Sequence, residues 1–434
     1  MINVLWITNI MLPAVSSYLG KKVQYGGGWM EALLADLSRN EDLNLAVATI
    51  YDGKEIKQLK YKSITYYLLP FHNSIQNYEP ALESAFQQIR EWFQPDIVHL
   101  HGTEYPWKNA ALSLLPPERL VISLQGLLGI CARYYLAGLS CWDVWSNLTL
   151  RDLIKRTSIY REQKAFQRAG EFERKALQKV AHVIGRTSWD RVHALAVNPQ
   201  LHYHFCNENL RSAFYGPQWN IETKENFSLF LSQGTYPLKG LHIVLKAMYL
   251  LKANYPDLHL YIAGNDITSV SLIHYSSYGK YLKKMIKKYD LRTNITFTGP
   301  LDADSMVKYY LRAHVFICPS AIENSPNSLG EAQLLGVPCI ASYVGGIPDM
   351  AQNGAALLYR FEEWEMLAAL ISSLFVSPET CCRLSGEARK QALLRHNRQK
   401  NALQMHDIYY SMITGSSKEL CKDTGKKQPC LIAD

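Results

Sequence analysis

No stretch of 18 apolar residues occurs in the 434-residue sequence, so no membrane-spanning helix is expected. A secretory leader is not expected either. Met1–Thr8 is apolar but short, lacks a basic segment and a small-residue cleavage site, and reads as a first strand. The nine cysteines include no Cys-x-x-Cys pair and no metal-ligand spacing. Their number is odd and Cys381 and Cys382 are neighbours, which argues against a disulfide framework and for a reducing, cytoplasmic compartment. A complete G-x-G-x-x-G fingerprint is absent too: counted from Gly26, Glu31 stands at the third glycine, which disfavours a dehydrogenase.

What is present is ordinary globular composition, 48% hydrophobic and 19% charged, in a chain long enough for two or three domains. Tyrosine (27) and tryptophan (9) suit stacking on sugars or bases, and equally suit a core. The net charge of +8 comes largely from residues 151–180, where Arg151, Lys155, Arg156, Arg161 and Lys164 open a basic run. Two readings apply to it: a solvated helix face, or a surface attracted to anionic lipid or an anionic acceptor. Nothing in the pattern points to nucleic acid.

In the first half, strand-like and helical runs alternate. Strands are expected at Asn3–Thr8, Leu45–Ile50, Thr65–Leu69, Asp96–His101, Leu120–Leu124 and Val180–Ile184, and helices at Met30–Leu37 and Leu82–Phe93. Such alternation implies a parallel sheet covered by helices, with ligands beyond the carboxyl ends of its strands. Gly26–Gly28, His101 and Gln125 fall at those ends. The glycines are either a turn or a place of close backbone approach. His101 is followed by Gly102-Thr103, a loop start that favours exposure in a cleft. Residues 126–180 read as an insertion, either an acceptor-binding flap or packing around a long α-hairpin.

The second half repeats the alternation after a boundary near Tyr215–Glu225. Strands at Phe227–Gln233, Leu258–Ala263 (closed by Gly264), Asn294–Thr298 and His314–Pro319 are separated by helical runs. The last of these strands leads into Ser320-Ala-Ile-Glu323-Asn-Ser-Pro-Asn-Ser-Leu-Gly-Glu331. Pro326 disfavours helix at Ser325, so Glu323 sits in a loop and Glu331 near the start of a helix. The free N–H groups of a helix N-terminus can hold an anion, and two carboxylates flanking them suit a nucleotide diphosphate sugar. Ser328-Leu-Gly-Glu331 also fits a capping box. Lys239, where a strand hands over to a helix, could neutralise a leaving diphosphate. Asp302-Ala-Asp304 is expected to cap a helix and not to bind metal. The tail from Gly415 onward is expected to be disordered.

Taken in order, these segments resemble glycosyltransferase family 4, of the GT-B fold. The family's Glu-x7-Glu motif is matched by Glu323 and Glu331, its N-terminal glycine pair by Gly27-Gly28, and its strand ending in a histidine by Pro95–His101. Its diphosphate turn is matched by Gly234–Gly240, and the loop after the motif by Gly345-Gly-Ile-Pro-Asp349. The resemblance covers about residues 1–413. It implies two Rossmann-like α/β domains facing a central cleft. Residues 1–217 would hold the acceptor, residues 218–395 the nucleotide sugar, and residues 396–414 would form a helix returning to the first domain. It further implies a retaining transfer, without metal or cofactor, from a UDP- or GDP-linked sugar to a saccharide or lipid-linked acceptor in cell-surface polysaccharide synthesis. Peripheral contact with the inner face of an anionic membrane would accompany it.

By the same resemblance, Glu331 would bind the donor ribose, Glu323 the transferred sugar, and Lys239 the diphosphate. Backbone amides of Asn327, Ser328 and Leu329 would face the phosphates, with Gly264 on the donor side. His101 would lie by the anomeric centre, and Gly27, Gly28 and Gln125 would border phosphate or acceptor. Two positions depart from the family. Gly234-Thr235 stands where an arginine is frequent, and Gln125 where a histidine is. These departures keep two rivals open: a non-catalytic nucleotide- or glycan-binding protein, and a nucleotide-sugar epimerase of the same fold.

Overall fold

The computed structural model describes residues 1–21, 27–74, 77–155, 157–270 and 275–415. Gly26, Arg156 and the tail after Gly415 lie outside the described residues.

The first sheet contains β1 (Ile2–Ile7), β2 (Leu43–Tyr51), β3 (Lys57–Tyr61), β4 (Ile64–Pro70), β5 (Ile97–His101), β6 (Leu120–Ser123), β7 (His182–Gly185) and β8 (His202–Phe205). Their order is β3-β4-β2-β1-β5-β6-β7-β8. All neighbours are parallel except the β3/β4 hairpin. The central strands are buried almost throughout and mostly apolar, because helices cover both faces. β3 and β8 sit at the edges. Lys57-Gln-Leu-Lys-Tyr61 and His202-Tyr-His-Phe205 carry the polar side chains an exposed edge requires, and that polarity hid both strands from a search for apolar runs.

The second sheet contains β9 (Ser228–Leu231), β10 (His259–Ile262), β11 (Ile295–Phe297), β12 (Val315–Cys318), β13 (Cys339–Ser342) and β14 (Leu357–Tyr359), all parallel. The order β11-β10-β9-β12-β13-β14 is that of a doubly wound dinucleotide-type sheet, with its reversal between β9 and β12. The first sheet reverses between β1 and β5. A ligand crevice is therefore expected beyond β1/β5 and beyond β9/β12, and both ends open onto the same space.

The chain crosses from the first sheet to the second between Phe205 and Ser228, then returns. The last helix, Arg398–Thr414, buries Met405, Ile408, Tyr409 and Met412 against Trp6, Leu33, Leu37 and Val121 of the first domain. Each such buried large apolar side chain contributes about 1.5–3 kcal/mol. The Tyr409 hydroxyl accepts from Trp6 Nε1 (2.9 Å) and lies 2.6 Å from His99 Nδ1, while His99 Nε2 lies 2.7 Å from Ser123 Oγ. Burial pushes the His99 pKa down to about 3, so the ring is neutral. Arg398 adds a two-pronged pair to Asp36, at 2.9 Å on each arm.

The insertion does more than line a hairpin. Tyr135, Ala137, Leu139 and Val144 leave the first domain and pack into the core of the second. His242 Nε2 meets the Ala137 carbonyl at 2.9 Å. Among the described residues no single helix is long and apolar enough to cross a membrane.

Candidate active site

A cavity of about 400 Å³ lies between the two domains at the carboxyl ends of β9 and β12. The second domain supplies Lys239, Glu323, Asn327, Ser328 and Glu331; the first supplies Gly27, Gly28, Trp29 and Gln125. Two helix N-termini open onto it, those of Gly28–Leu37 and Asn327–Leu335.

The helix Asn327–Leu335 begins at Pro326, which takes the cap position without a side-chain bond. The capping-box reading of Ser328 and Glu331 is thereby overturned: Ser328 is already the second helical residue, and Glu331 faces elsewhere. The amides of Leu329 and Gly330 are taken by the Pro326 carbonyl, at 3.0 and 3.2 Å. That leaves Asn327 and Ser328 as the amides without a helical partner. Leu329 itself is buried in the domain core and does not line the cavity.

Glu331 is buried and holds Arg211 in a fork, Nε to Oε1 and Nη2 to Oε2 at 2.8 Å each. Burial raises the Glu331 pKa, and Arg211 opposes the rise. For Arg211, burial pulls down but the Glu331 bonds prevail and raise its pKa. Arg211 belongs to the connector between the sheets, stacks on Phe214 at 4.7 Å, and lines the cavity. The reading from sequence missed it because nothing local marks it: its partner is 120 residues away. It also explains the glycine at 28, where a Cβ would stand 2.7 Å from Arg211 Cγ. What approaches the glycine closely is thus a side chain.

Lys239 ends a short turn, Pro237–Lys239, and is ion-paired with Glu323 Oε1, which also accepts from Ser320 Oγ at 2.9 Å. Burial works against the ammonium, but Glu323 and then Tyr236 outweigh it and hold the lysine pKa above its usual value. Lys239 stays cationic across the physiological range. It also lies over the Tyr236 ring, 5.7 Å from the centroid.

The first domain reaches the motif through Asn324, which is buried. Its amide oxygen accepts from Thr187 Oγ1 (2.6 Å), and its amide nitrogen donates to Asp190 Oδ2 (2.9 Å) and toward the Gln125 carbonyl (3.4 Å). Asp349 Oδ2 accepts from Ser188 N at 2.5 Å. The loop Gly345-Gly346 fits this seam closely. A Cβ at Gly346 would lie 2.3 Å from the Asn324 carbonyl and 2.5 Å from Thr187 Cγ2. Gln125 Nε2 donates to Glu208 Oε1 (2.7 Å), which is also paired with Arg186.

His101 is not exposed in the cleft, contrary to the expectation from Gly102-Thr103. It is 1% exposed, 4.1 Å ring to ring from Trp6 and 4.0 Å from His99, and neither ring nitrogen has a partner. Burial, then His99, Lys108 and Arg186, push its pKa well below the histidine value. Trp29, 5.8 Å from it, lines the cavity in its place. Gly264 is also off the wall; it pairs with Gly299 at the end of β10. Asp302 caps the helix Ala303–Arg312 through Ser305 N (2.8 Å). Among the described residues no three metal-ligating side chains gather.

Residues 213–391 match the family model of glycosyl transferases group 1. The second domain belongs to that family. Over 158 residues the chain is 23% identical to the gpi3 subunit of phosphatidylinositol N-acetylglucosaminyltransferase from Schizosaccharomyces pombe, which covers 36% of this chain and 32% of that protein. The chain spans between 30% and 50% of the length of the curated relatives it matches. Sucrose-phosphate synthase from Thermosynechococcus elongatus superposes with a TM-score of 0.69 at 17% identity, over 96% of this chain and 100% of that one. HepE of Anabaena, solved in complex with UDP and glucose, superposes at 0.61 and 15% identity, over 95% and 100%. The fold is GT-B: two Rossmann-like domains facing a cleft.

Proposed function

We propose that this group 1 glycosyltransferase chain moves a sugar, with retention of configuration, from a nucleoside diphosphate sugar to a saccharide or lipid-linked saccharide. The setting we propose is cell-surface polysaccharide synthesis on the cytoplasmic side of a membrane. One observation carries the reading: Lys239, Glu323, Glu331 and the open N-terminus of Asn327–Leu335 share one cavity at the switch point of the second sheet. The UDP and glucose in HepE support a UDP-linked donor, and the phosphatidylinositol in the name of the fission-yeast relative supports a lipid-linked acceptor.

In the proposed reaction the bond between C1 of the sugar and the diphosphate oxygen breaks, its electron pair leaving with that oxygen, as the acceptor hydroxyl oxygen bonds to C1 and the hydroxyl proton passes to the departing diphosphate. Negative charge grows on the diphosphate, where Lys239 and the amides of Asn327 and Ser328 stabilise it. The cations at this point come from the protein, and no metal ion is required. Glu331 takes the ribose hydroxyls once Arg211 releases it, and Arg211 then supplies the second cation that Gly234-Thr235 lacks. Glu323 faces the transferred sugar. His101 lies behind Trp29 and acts on the wall of the site.

Glu323→Ala tests the assignment. The variant is expected to keep nucleoside diphosphate binding, seen as a thermal shift, and to lose transfer by at least about a hundredfold; full turnover would sink the reading. Gly234-Thr235 in the diphosphate turn and Gln125 after the strand Leu120–Ser123 favour a second reading, a nucleotide binder without chemistry. Incubation with a panel of nucleotide sugars, with and without acceptor, separates the two by product. The same experiment exposes an epimerase, which turns over donor alone.

A further inference from the structure

Between Trp142 and Ile154 five large apolar side chains stand in solvent: Trp142 (74% exposed), Trp145 (70%), Leu150 (75%), Leu153 (63%) and Ile154 (79%). They belong to two short helices of the insertion, Cys141–Ser146 and Leu150–Ile154. Single exposed apolar residues need no explanation, but a contiguous group does.

The group is held in place. Each helix starts with a complete capping box, Ser140 with Asp143 and Thr149 with Asp152. Thr149 Oγ1 also donates to the Tyr275 carbonyl at 2.7 Å, and Val144 is buried in the core of the second domain. The apolar side chains are thus turned outward by a fixed scaffold.

Its surroundings are cationic. Lys280 Nζ donates to the Leu148 carbonyl (3.2 Å) and Lys284 Nζ toward the Ser146 carbonyl (3.5 Å), so the helix Ser277–Lys288 lies directly beside the group. That helix exposes Lys283, Lys284, Lys287 and Lys288, and Arg151 and Lys155 stand among the apolar residues. The acids nearby are committed: Asp143 and Asp152 to their caps, and Asp152 also to Arg151 at 3.7 Å.

We propose that this face docks the protein onto an anionic lipid bilayer, with Trp142, Trp145, Leu150, Leu153 and Ile154 entering the headgroup boundary and the lysines of Ser277–Lys288 contacting lipid phosphates. Tryptophan and aliphatic side chains above a cationic rim are the composition of an interfacial element, and cations near a negative leaflet strengthen the contact. Charge also discriminates against a second copy of the chain. A two-fold pair would bring the same cationic rim against itself. The expected basic helix, Ile159–Lys179, is therefore not the centre of the contact. The centre lies before it in the chain, and most of its cations come from the second domain. The inference goes beyond the transferase reading and does not depend on it.

The test uses the full chain and vesicles of phosphatidylcholine with and without phosphatidylglycerol. Co-sedimentation is expected to be at least about tenfold stronger on the anionic vesicles and to weaken with salt. The triple variant Trp142→Ser/Trp145→Ser/Ile154→Ser is expected to lose at least about tenfold in binding, with its thermal midpoint unchanged because the side chains are exposed. Brominated lipid should quench tryptophan fluorescence in the wild type and much less in the variant. A second variant, Lys283→Glu/Lys287→Glu, should weaken binding and flatten its salt dependence. Three results overturn the proposal: no binding to anionic vesicles, equal binding by wild type and triple variant, or a dimer in solution that the triple variant abolishes.

Discussion

Arg211 carries more of this site than its place in a connector suggests. It forks the buried carboxylate of Glu331, and removing one partner of such a fork leaves the other charged and unpaired. Arg211→Met is expected to lower the stability of the ligand-free protein by about 3 kcal/mol, read in denaturant unfolding. Adding Glu331→Leu should restore much of the loss, because the uncompensated charge is then gone. Recovery in the double variant is the decisive comparison. Glu323 and Lys239 were legible in the sequence, since each stands at a strand-to-helix junction within a recognisable segment. Arg211 was not, because a pairing over 120 positions leaves no local pattern. His101 was found as a residue and misjudged as an environment. A strand-end histidine followed by glycine looks open, and only the packing of Trp6, His99 and Trp29 around it shows that it is closed.

Among the elements, the long helix Ile159–Lys179 has an unusual buried acid. Glu173 accepts from Thr103 Oγ1 (2.7 Å) and from the amides of Leu128 (3.0 Å) and Gly129 (3.3 Å). Burial outweighs those bonds and raises its pKa from 4.5 to about 7. The folded protein therefore binds more protons than the unfolded chain between those values, and stability falls as pH rises through that window. The two values, 4.5 and about 7, convert to a loss of about 3 kcal/mol at most. Glu173→Gln, which stays neutral, should remove this slope. The measurement is the difference in unfolding free energy between wild type and variant from pH 4.5 to 7, and a constant difference would refute the argument. The elements that could be read in advance were those buried on both faces, such as Ile97–His101 and Val315–Cys318. The edge strands Lys57–Tyr61 and His202–Phe205 escaped because they are largely polar, and the insertion because its apolar residues serve two ends, Val144 inward and Trp142 outward.

At the scale of the molecule, the last helix is the strap that makes two domains one protein. Tyr409 sits at its centre, its hydroxyl bonded to both Trp6 and His99. Tyr409→Phe keeps the ring and removes the hydroxyl, stranding the Trp6 indole N–H and the His99 nitrogen in the core. The expected cost is about 2 kcal/mol, seen as a lower denaturant midpoint with unchanged slope; no change would mean that water replaces the hydroxyl.

Asn324, the polar peg between the domains, is also the next residue after Glu323. The carboxylate assigned to the sugar is in this way geared to the angle at which the domains meet. Rocking that separates Asn324 from Thr187 drags the peptide bearing Glu323 along with it. A ligand that steadies the first domain thus sets the aim of a side chain in the second, and neither half-site can be tuned alone.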